Sequence, residues 1–414
     1  MSTRPPSSAA KSPFRRPQIP RNLTEEQRSE ERTSTWLELF FDLCFVVAVA
    51  ALARGLHDDP TLGGALRFAG LFVPVWWSWM IFTWYATSFD NDDVPYRVTF
   101  LAAMLCMLGL AASVEGVGTE AGAMAGFVLA YAVMRLLLVG LWVRARYHTP
   151  PALRGFASWY AAGNALGAVL WVASLALPAP MIYGAWAVAL FVELLAPILA
   201  VRTLEDPRVS FHPRHIPERY GLFTIIVLGE SVLAVVAGTA GTDWASAAVL
   251  TGVFGFVAAA CIWWLYFDHV GSAGLELGPR TAFYWGYGHL AVYAGIAAFG
   301  VGVQLAVEGA ATVGELASVA AAPPVGEGGV VSGAREIFGG SVALYLAAIG
   351  FIHWVNEHTL DDRIILVRLI AAVAAVGLAF FGSALSPPLF AASIALLLLA
   401  LTAFETLRAG ETSP

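Results

Sequence analysis

Runs of about 18–25 apolar residues, each long enough to cross the hydrocarbon core of a bilayer as a helix, recur along the chain from Trp36 onwards. A helix satisfies its own backbone hydrogen bonds in lipid. The pattern therefore predicts an all-α fold, a polytopic transmembrane helix bundle of about twelve helices. The expected spans are about 36–55, 64–88, 96–114, 121–144, 157–177, 181–202, 220–239, 244–267, 282–307, 337–357, 364–383 and 388–407.

Three segments fall outside the predicted spans. Residues 1–33 contain no apolar run and are rich in Pro, Ser, Arg and Glu, so we expect a disordered tail. Most connections between spans are short, but 308–335 is rich in Gly, Ala and Pro and is expected to be a long loop. Residues 409–414 form a second, short tail.

The arginines predict an orientation in the membrane. Most of those near the ends of the spans lie in alternate connections, on the side of the N-terminal tail. Basic residues are enriched in cytoplasmic loops. Both tails are therefore expected in the cytoplasm, and the 308–335 loop on the opposite side.

A weak internal repeat occurs at an offset of six spans. The second span contains Trp76-Trp77-Ser78-Trp79, and the eighth contains Trp263-Trp264-Leu265-Tyr266. An even offset predicts two parallel halves of six helices, 34–205 and 206–408. The alternative is that aromatic residues cluster at membrane interfaces whether or not the chain is duplicated.

Composition excludes several functional classes. Charged residues make up 13% of the chain and hydrophobic residues 58%, whereas ordinary soluble domains carry about 25% charge, which argues against a soluble enzyme. The net charge of −7 offers no broad basic surface for nucleic acid. Cys44, Cys106 and Cys261 lie in apolar runs without disulfide or metal spacing. Phosphate-binding, nucleophile-elbow, dinucleotide and zinc motifs are absent from the sequence, so no catalytic residue, cofactor or metal is predicted.

Ionisable residues inside the spans cost roughly 2.5–3.5 kcal/mol each on insertion scales, so each one requires an explanation. Glu38 and Asp42 are four residues apart and share one face of the first span. The positive end of the helix dipole explains Glu38. Asp42 lies about 9 Å along the axis from Trp36, deeper than capping requires, and is expected to have a buried partner.

Glu230 is the strongest functional candidate and stands between Gly229 and Ser231 in the seventh span. It lies about 15 Å into the expected helix, close to the bilayer midplane, where the helix dipole does not reach. Gly229 is expected to let another helix approach closely. The carboxylate either binds a proton, ion or substrate or forms a buried ion pair that holds helices together. Glu218 and Arg219, near the start of the same span, are supporting candidates.

Arg135 in the fourth span and Glu193 in the sixth are further intramembrane charges. Arg135 requires an anion, and the candidates are Asp42, Glu193 and Glu230. The alternative is that its side chain extends to the interface. Pro197 is expected to kink the sixth helix and to free a backbone carbonyl near Glu193.

His289 lies inside the ninth span, and its side chain changes charge near neutral pH, so it is a candidate for a proton relay. The alternative is a hydrogen-bonded core histidine. Asp90 follows the second span in an acidic segment that lacks the Gly and Glu spacing of a calcium loop. The simplest interpretation of Asp90 is a solvated loop, but its closeness to the aromatic run keeps it as a supporting candidate.

Several of these segments resemble the bacterial low-temperature-requirement A family of integral membrane proteins. The matching residues are Leu37 to Val46, Phe89 to Asp93, Tyr131 to Arg135, Glu193 with Pro197, His215 to Phe223, Leu228 to Ser231 and Tyr287 to Leu290. The resemblance covers about 34–405. It implies a multi-pass protein of the bacterial cytoplasmic membrane, linked by name to growth in the cold, and it implies no particular activity.

Titratable groups buried on several helices suit alternating access, so we expect a secondary transporter or permease of a small solute or ion, coupled to protons or cations. Glu230 would bind the proton or cation, with Asp42 in support. Arg135 would set the local field, and His289 or Glu193 would act as a relay.

Two alternatives belong to other functional classes: a structural or regulatory membrane protein that supports the envelope in the cold, and an intramembrane enzyme that modifies lipid. A transporter needs a polar cavity that reaches Glu230 at the midplane. An enzyme needs one open to the lipid headgroups, and a structural protein needs none.

The predicted orientation can be tested by cysteine labelling in intact cells. A membrane-impermeant thiol reagent should modify a cysteine placed at Gly326 but not one placed at Ser7, because only the 308–335 loop is expected outside. The reverse labelling pattern would contradict the orientation.

Overall fold

The prediction of an all-α polytopic protein is confirmed. A computed structural model describes residue 14 and residues 33–89, 92–205, 214–269, 279–318, 333–356 and 362–412. These residues form helices and no strand. The helices are α1 Trp36–Asp58, α2 Leu62–Ser88, α3 Val94–Ser113, α4 Ala121–His148, α5 Pro151–Ser174, α6 Met181–Val201, α7 His215–Ala240, α8 Ser246–His269, α9 Pro279–Ser318, α10 Ala334–Val355, α11 Asp362–Phe381 and α12 Pro387–Thr412.

Within the described residues, 11 helices are long and apolar enough to cross a membrane. The remaining helix, α5, has 24 residues and is therefore also long enough. It is not one of the 11, and its sequence includes the polar residues Arg154 and Asn164. The chain is a multi-span membrane protein.

Two expectations about connecting segments need correction. α9 continues to Ser318, so 308–318 is helical where a loop was expected. That segment contains three Ala and two Glu residues, which favour helix, and the first proline after it is Pro323. Likewise α12 runs to Thr412, into the expected second tail. Apart from residue 14, the expected tail at 1–32 lies outside the described residues, as does Asp90.

The chain forms two compact units, each a set of packed helices. Among the described residues, the first comprises 84–89, 92–106 and 128–205. The second comprises Glu31–Thr83, Met107–Phe127 and Pro213–Pro414. The expected division into two parallel halves near residue 205 stays a prediction.

In the first unit, small residues bring α5 and α6 together. A Cβ atom on Gly163 would lie 2.2 Å from the Ala196 side chain, and one on Gly167 would lie 2.2 Å from Glu193 Oε1. Pro197, inside α6, has no N–H to donate to the carbonyl of Glu193. These features place the Glu193 carboxylate directly against α5.

In the second unit, α9 is the central helix. In its most apolar stretch 83% of the residues are buried, the largest share among the candidate spans. It packs against α1, α7, α8, α10 and α12. A Cβ on Gly302 would lie 2.5 Å from the Cα of Phe338, so α9 and α10 approach to backbone contact there.

Gly302→Ala is expected to lower the free energy of unfolding by about 1–3 kcal/mol, because the new methyl group collides with the α10 backbone. The control is Gly377→Ala in α11, where a Cβ would meet nothing within 4 Å, and which should change stability by less than about 1 kcal/mol. Thermal unfolding in detergent measures both. Equal melting temperatures for the two variants would contradict the close approach of α9 and α10.

Candidate functional site

The first charged cluster joins the N-terminal ends of α1 and α7 in the second unit. α1 begins with a capping box, in which Thr35 N donates to Glu38 Oε2 at 2.7 Å and Glu38 N donates to Thr35 Oγ1 at 3.3 Å. Ser34 N donates to Glu218 Oε1 at 3.0 Å. Glu38 thus caps α1 as expected, but its side chain is buried rather than in water.

Asp42 has the buried partner that its depth predicted. Arg219 Nη2 donates to Asp42 Oδ1, and Trp79 Nε1 donates to the same oxygen at 2.8 Å. Arg219 Nη1 also lies 3.8 Å from Glu38 Oε2, and His215 Nε2 lies 3.6 Å from Glu38 Oε1. All of these side chains are buried. The cluster is a buried ion-pair network that joins α1 to α7.

An aromatic layer lies directly against this cluster. The ring of Trp79 stacks on Phe223, with centroids 4.4 Å apart, and meets Tyr220 and Tyr293 edge-on at 4.8 and 5.7 Å. Tyr293 Oη donates to the backbone carbonyl of Tyr220 at 3.0 Å. The layer fills the space between α2, α7 and α9.

His289 lies at the edge of the aromatic layer with both ring nitrogens engaged. Nδ1 lies 2.7 Å from the carbonyl oxygen of Trp285, which can only accept, so Nδ1 carries the hydrogen. Nε2 therefore accepts from Tyr266 Oη at 3.0 Å. This geometry is that of the hydrogen-bonded core histidine; its role as a relay stays a prediction.

The second charged cluster lies in the first unit around Arg135. Arg135 Nε is 3.6 Å from Glu193 Oε2, and Arg135 Nη1 donates to Asn164 Oδ1 at 3.4 Å. Tyr131 Oη donates to Glu193 Oε2 at 2.5 Å, and the guanidinium lies 4.3 Å above the Tyr131 ring. Of the three anions considered for Arg135, Glu193 is therefore its partner, and snorkelling does not occur because Arg135 is fully buried.

Glu230 differs from the other intramembrane acids. It is half-buried and lines a cavity of about 430 Å³ in the second unit, between α1, α7 and α9. The lining residues are Ala50, Ala53, Arg54, His57, Glu230, Leu233, Ala234, Ala237, Ala297, Gly300, Val301 and Gln304. Because α7 begins at His215, Glu230 lies about 22 Å along it, a few ångströms past its middle.

The expected role of Gly229 is wrong. A Cβ there would meet nothing within 4 Å, so none of the described helices approaches that face closely. The close approach is at Gly300 of α9, where a Cβ would lie 2.9 Å from the backbone of Ser231. Ser231 Oγ donates to the carbonyl of Ile296 at 3.0 Å. Ser231 is used for packing, and the space beside Glu230 comes from the cavity.

A third buried charge pair was missed by sequence reasoning. Arg368 of α11 donates through Nε and Nη2 to the two oxygens of Glu405 in α12, at 2.6 and 2.5 Å, and its Nη1 lies against His353 of α10. The sequence position of the two residues could have indicated the pair. They lie on consecutive helices, both far from the short connection at Gly382–Ala384, and therefore near the same end of the two helices. Within the described residues, no group of side chains could hold a metal ion.

Arg135→Leu is expected to lower the free energy of unfolding by about 3–5 kcal/mol, because Glu193 is then buried without its cation. The control is Arg154→Leu, at an exposed position on α5 in the same unit, which should change stability by less than about 0.5 kcal/mol. Thermal unfolding in detergent measures both. The double variant Arg135→Leu/Glu193→Leu should regain part of the loss. Equal losses in the two single variants would contradict the ion pair.

Comparison with known proteins places the chain among its relatives. Residues 33–403 match the family described as "Bacterial low temperature requirement A protein (LtrA)". The "Uncharacterized protein RA0937" of Rhizobium meliloti (strain 1021) is 26% identical over 300 residues, which are 67% of this chain and 70% of that protein. No solved structure gives a significant match. Because the family match extends over most of the residues, the chain belongs to the bacterial low temperature requirement A family, as its sequence motifs indicated.

Proposed function

We propose that this membrane protein is a secondary transporter or permease that couples a small solute or ion to protons or cations. The observation that carries the proposal is the cavity of about 430 Å³ that reaches Glu230 near the middle of α7. Binding sites of secondary transporters lie near the bilayer midplane, and an ionisable residue in a span faces a water-filled cavity when it acts on a substrate or ion. Glu230 is the residue that binds the coupling ion.

The aromatic layer supports alternating access. Tyr293 lies one helical turn before Ala297, which lines the cavity, so the layer stands about 6 Å from the cavity towards the N-terminus of α9. Beyond it lies the Asp42–Arg219 pair. The cavity is therefore closed on that side by packed rings and an ion pair, as expected for one of the two end states of a transport cycle.

A structural role is favoured for the paired charges. Asp42, Arg135 and Arg368 each have an oppositely charged partner on another helix. Removing such a partner is costly, so these residues act on stability first. Asp42 and His289 then contribute to transport by holding the helices of the second unit around the cavity, whereas Arg135 and Glu193 hold α4 and α6 together within the first unit.

The orientation belongs to the same proposal. Both termini lie in the cytoplasm and the chain resides in the bacterial cytoplasmic membrane, which the arginine distribution supports. The cavity is lined by the C-terminal half of α1, including Arg54 and His57. In this orientation it faces the outside of the cell.

Glu230→Gln is expected to abolish transport driven by a pH gradient while leaving the fold intact, because the amide keeps the shape but cannot exchange a proton. The measurement is solute-dependent proton flux in proteoliposomes, screened over a panel of solutes with an entrapped pH indicator.

The matched control is Glu120→Gln, an exposed carboxylate in the same unit but outside the cavity. It should retain the wild-type flux and melting temperature. A Glu230→Gln variant with full flux would contradict the assignment. Lost stability without a separate transport defect would favour the structural alternative.

A further inference from the structure

The cations at the cavity already face carboxylates. Arg54 Nε lies 3.3 Å from Glu115 Oε1. His57 lies between two acids, with Nε2 at 2.9 Å from Glu308 Oε2 and Nδ1 at 3.3 Å from Asp58 Oδ1. The positive groups of the cavity are therefore neutralised within the protein.

Glu230 is the exception among the charged groups of the cavity. Within the described part of the chain it forms neither a hydrogen bond nor an ion pair. The lining contains two basic side chains, Arg54 and His57, and one acidic side chain, Glu230. Because both basic side chains already face acids that lie outside the lining, the Glu230 carboxylate is the charged group of the lining that is left for a ligand to neutralise.

The remaining lining selects the body of the ligand. Alanines, Gly300, Leu233 and Val301 make up most of the wall. A volume of about 430 Å³ accommodates a small organic molecule. A hard metal ion needs six or more oxygen ligands. The polar oxygens here are those of Glu230 and the amide oxygen of Gln304, whose Nε2 is engaged with Glu308 Oε1 at 2.9 Å.

We infer that the cavity binds a monovalent organic cation with an apolar body, such as a protonated amine, with Glu230 as its counter-ion. The inference rests on the transport function proposed above and names the substrate class of that site. A carboxylate that holds either the organic cation or a proton couples the two, because each must leave before the other binds. The ammonium group lies against Glu230 and the apolar body against the alanines of α1 and α7.

Three probes of similar size and different charge test the inference on the full chain in detergent: 2-phenylethylammonium, 2-phenylethanol and 3-phenylpropanoate. Isothermal titration calorimetry and thermal unfolding should show binding of the cation. The Glu230→Gln variant should bind it at least about tenfold more weakly, because the partly desolvated charge pair is lost. Glu120→Gln should bind it as the wild type does.

A second variant, Ala234→Trp, fills the cavity and keeps the carboxylate; it should weaken binding of the cation, whereas Val236→Trp on the exposed face of α7 should not. Absence of cation binding, equal or tighter binding of the alcohol or the anion, or cation binding that survives Glu230→Gln would overturn the inference.

Transport assays separate this inference from the proposed function. Proton flux driven by an anionic or neutral solute would overturn the substrate class and leave the transporter intact. Glu230-dependent binding of the cation without any coupled flux in proteoliposomes would support the binding site and contradict the transporter.

Discussion

The buried pair of Asp42 and Arg219 is the interaction on which the arrangement of the second unit depends. Neither charge can remain in the membrane interior alone, so α1 and α7 must meet where these residues lie. Trp79 completes the site by donating to Asp42, and its ring then begins the aromatic layer that joins α2, α7 and α9. One electrostatic requirement thus positions several helices.

The intramembrane charges fall into two groups: those paired within the protein, which stabilise the fold, and Glu230, which lies at the cavity. Arg135 with Glu193 and Arg368 with Glu405 repeat the same solution on other helices, and each pair is satisfied by side chains of the protein itself. Glu230 is not paired in this way and faces a cavity. A carboxylate that the protein leaves for another molecule to neutralise is better suited to binding than one that is already compensated.

Sequence periodicity predicts the helices and the depth of a charge, but it does not predict which helix lies opposite. The depth of Asp42 correctly indicated a buried partner, and the partner of Arg135 was among the three anions considered. The role predicted for Gly229 was wrong: two residues of an α-helix turn the side-chain direction by about 200°, so Gly229 faces away from α9 and Ser231 faces towards it. Arg368 was missed because a basic residue near the end of a span resembles an interfacial residue until its neighbour Glu405 is known.

The direction of the paired helices bears on the number of membrane crossings. The N-terminal residues of α1 and α7 meet at Asp42 and Arg219, and their C-terminal halves line one cavity, so the two helices run in the same direction. A chain that passes from α1 to α7 in this way crosses the bilayer an odd number of times in between. α2, α3, α4 and α6 supply four candidate spans, so we expect α5 to supply the fifth. Its polar Asn164 is then explained, because the amide oxygen of that residue accepts a hydrogen bond from Arg135 inside the membrane.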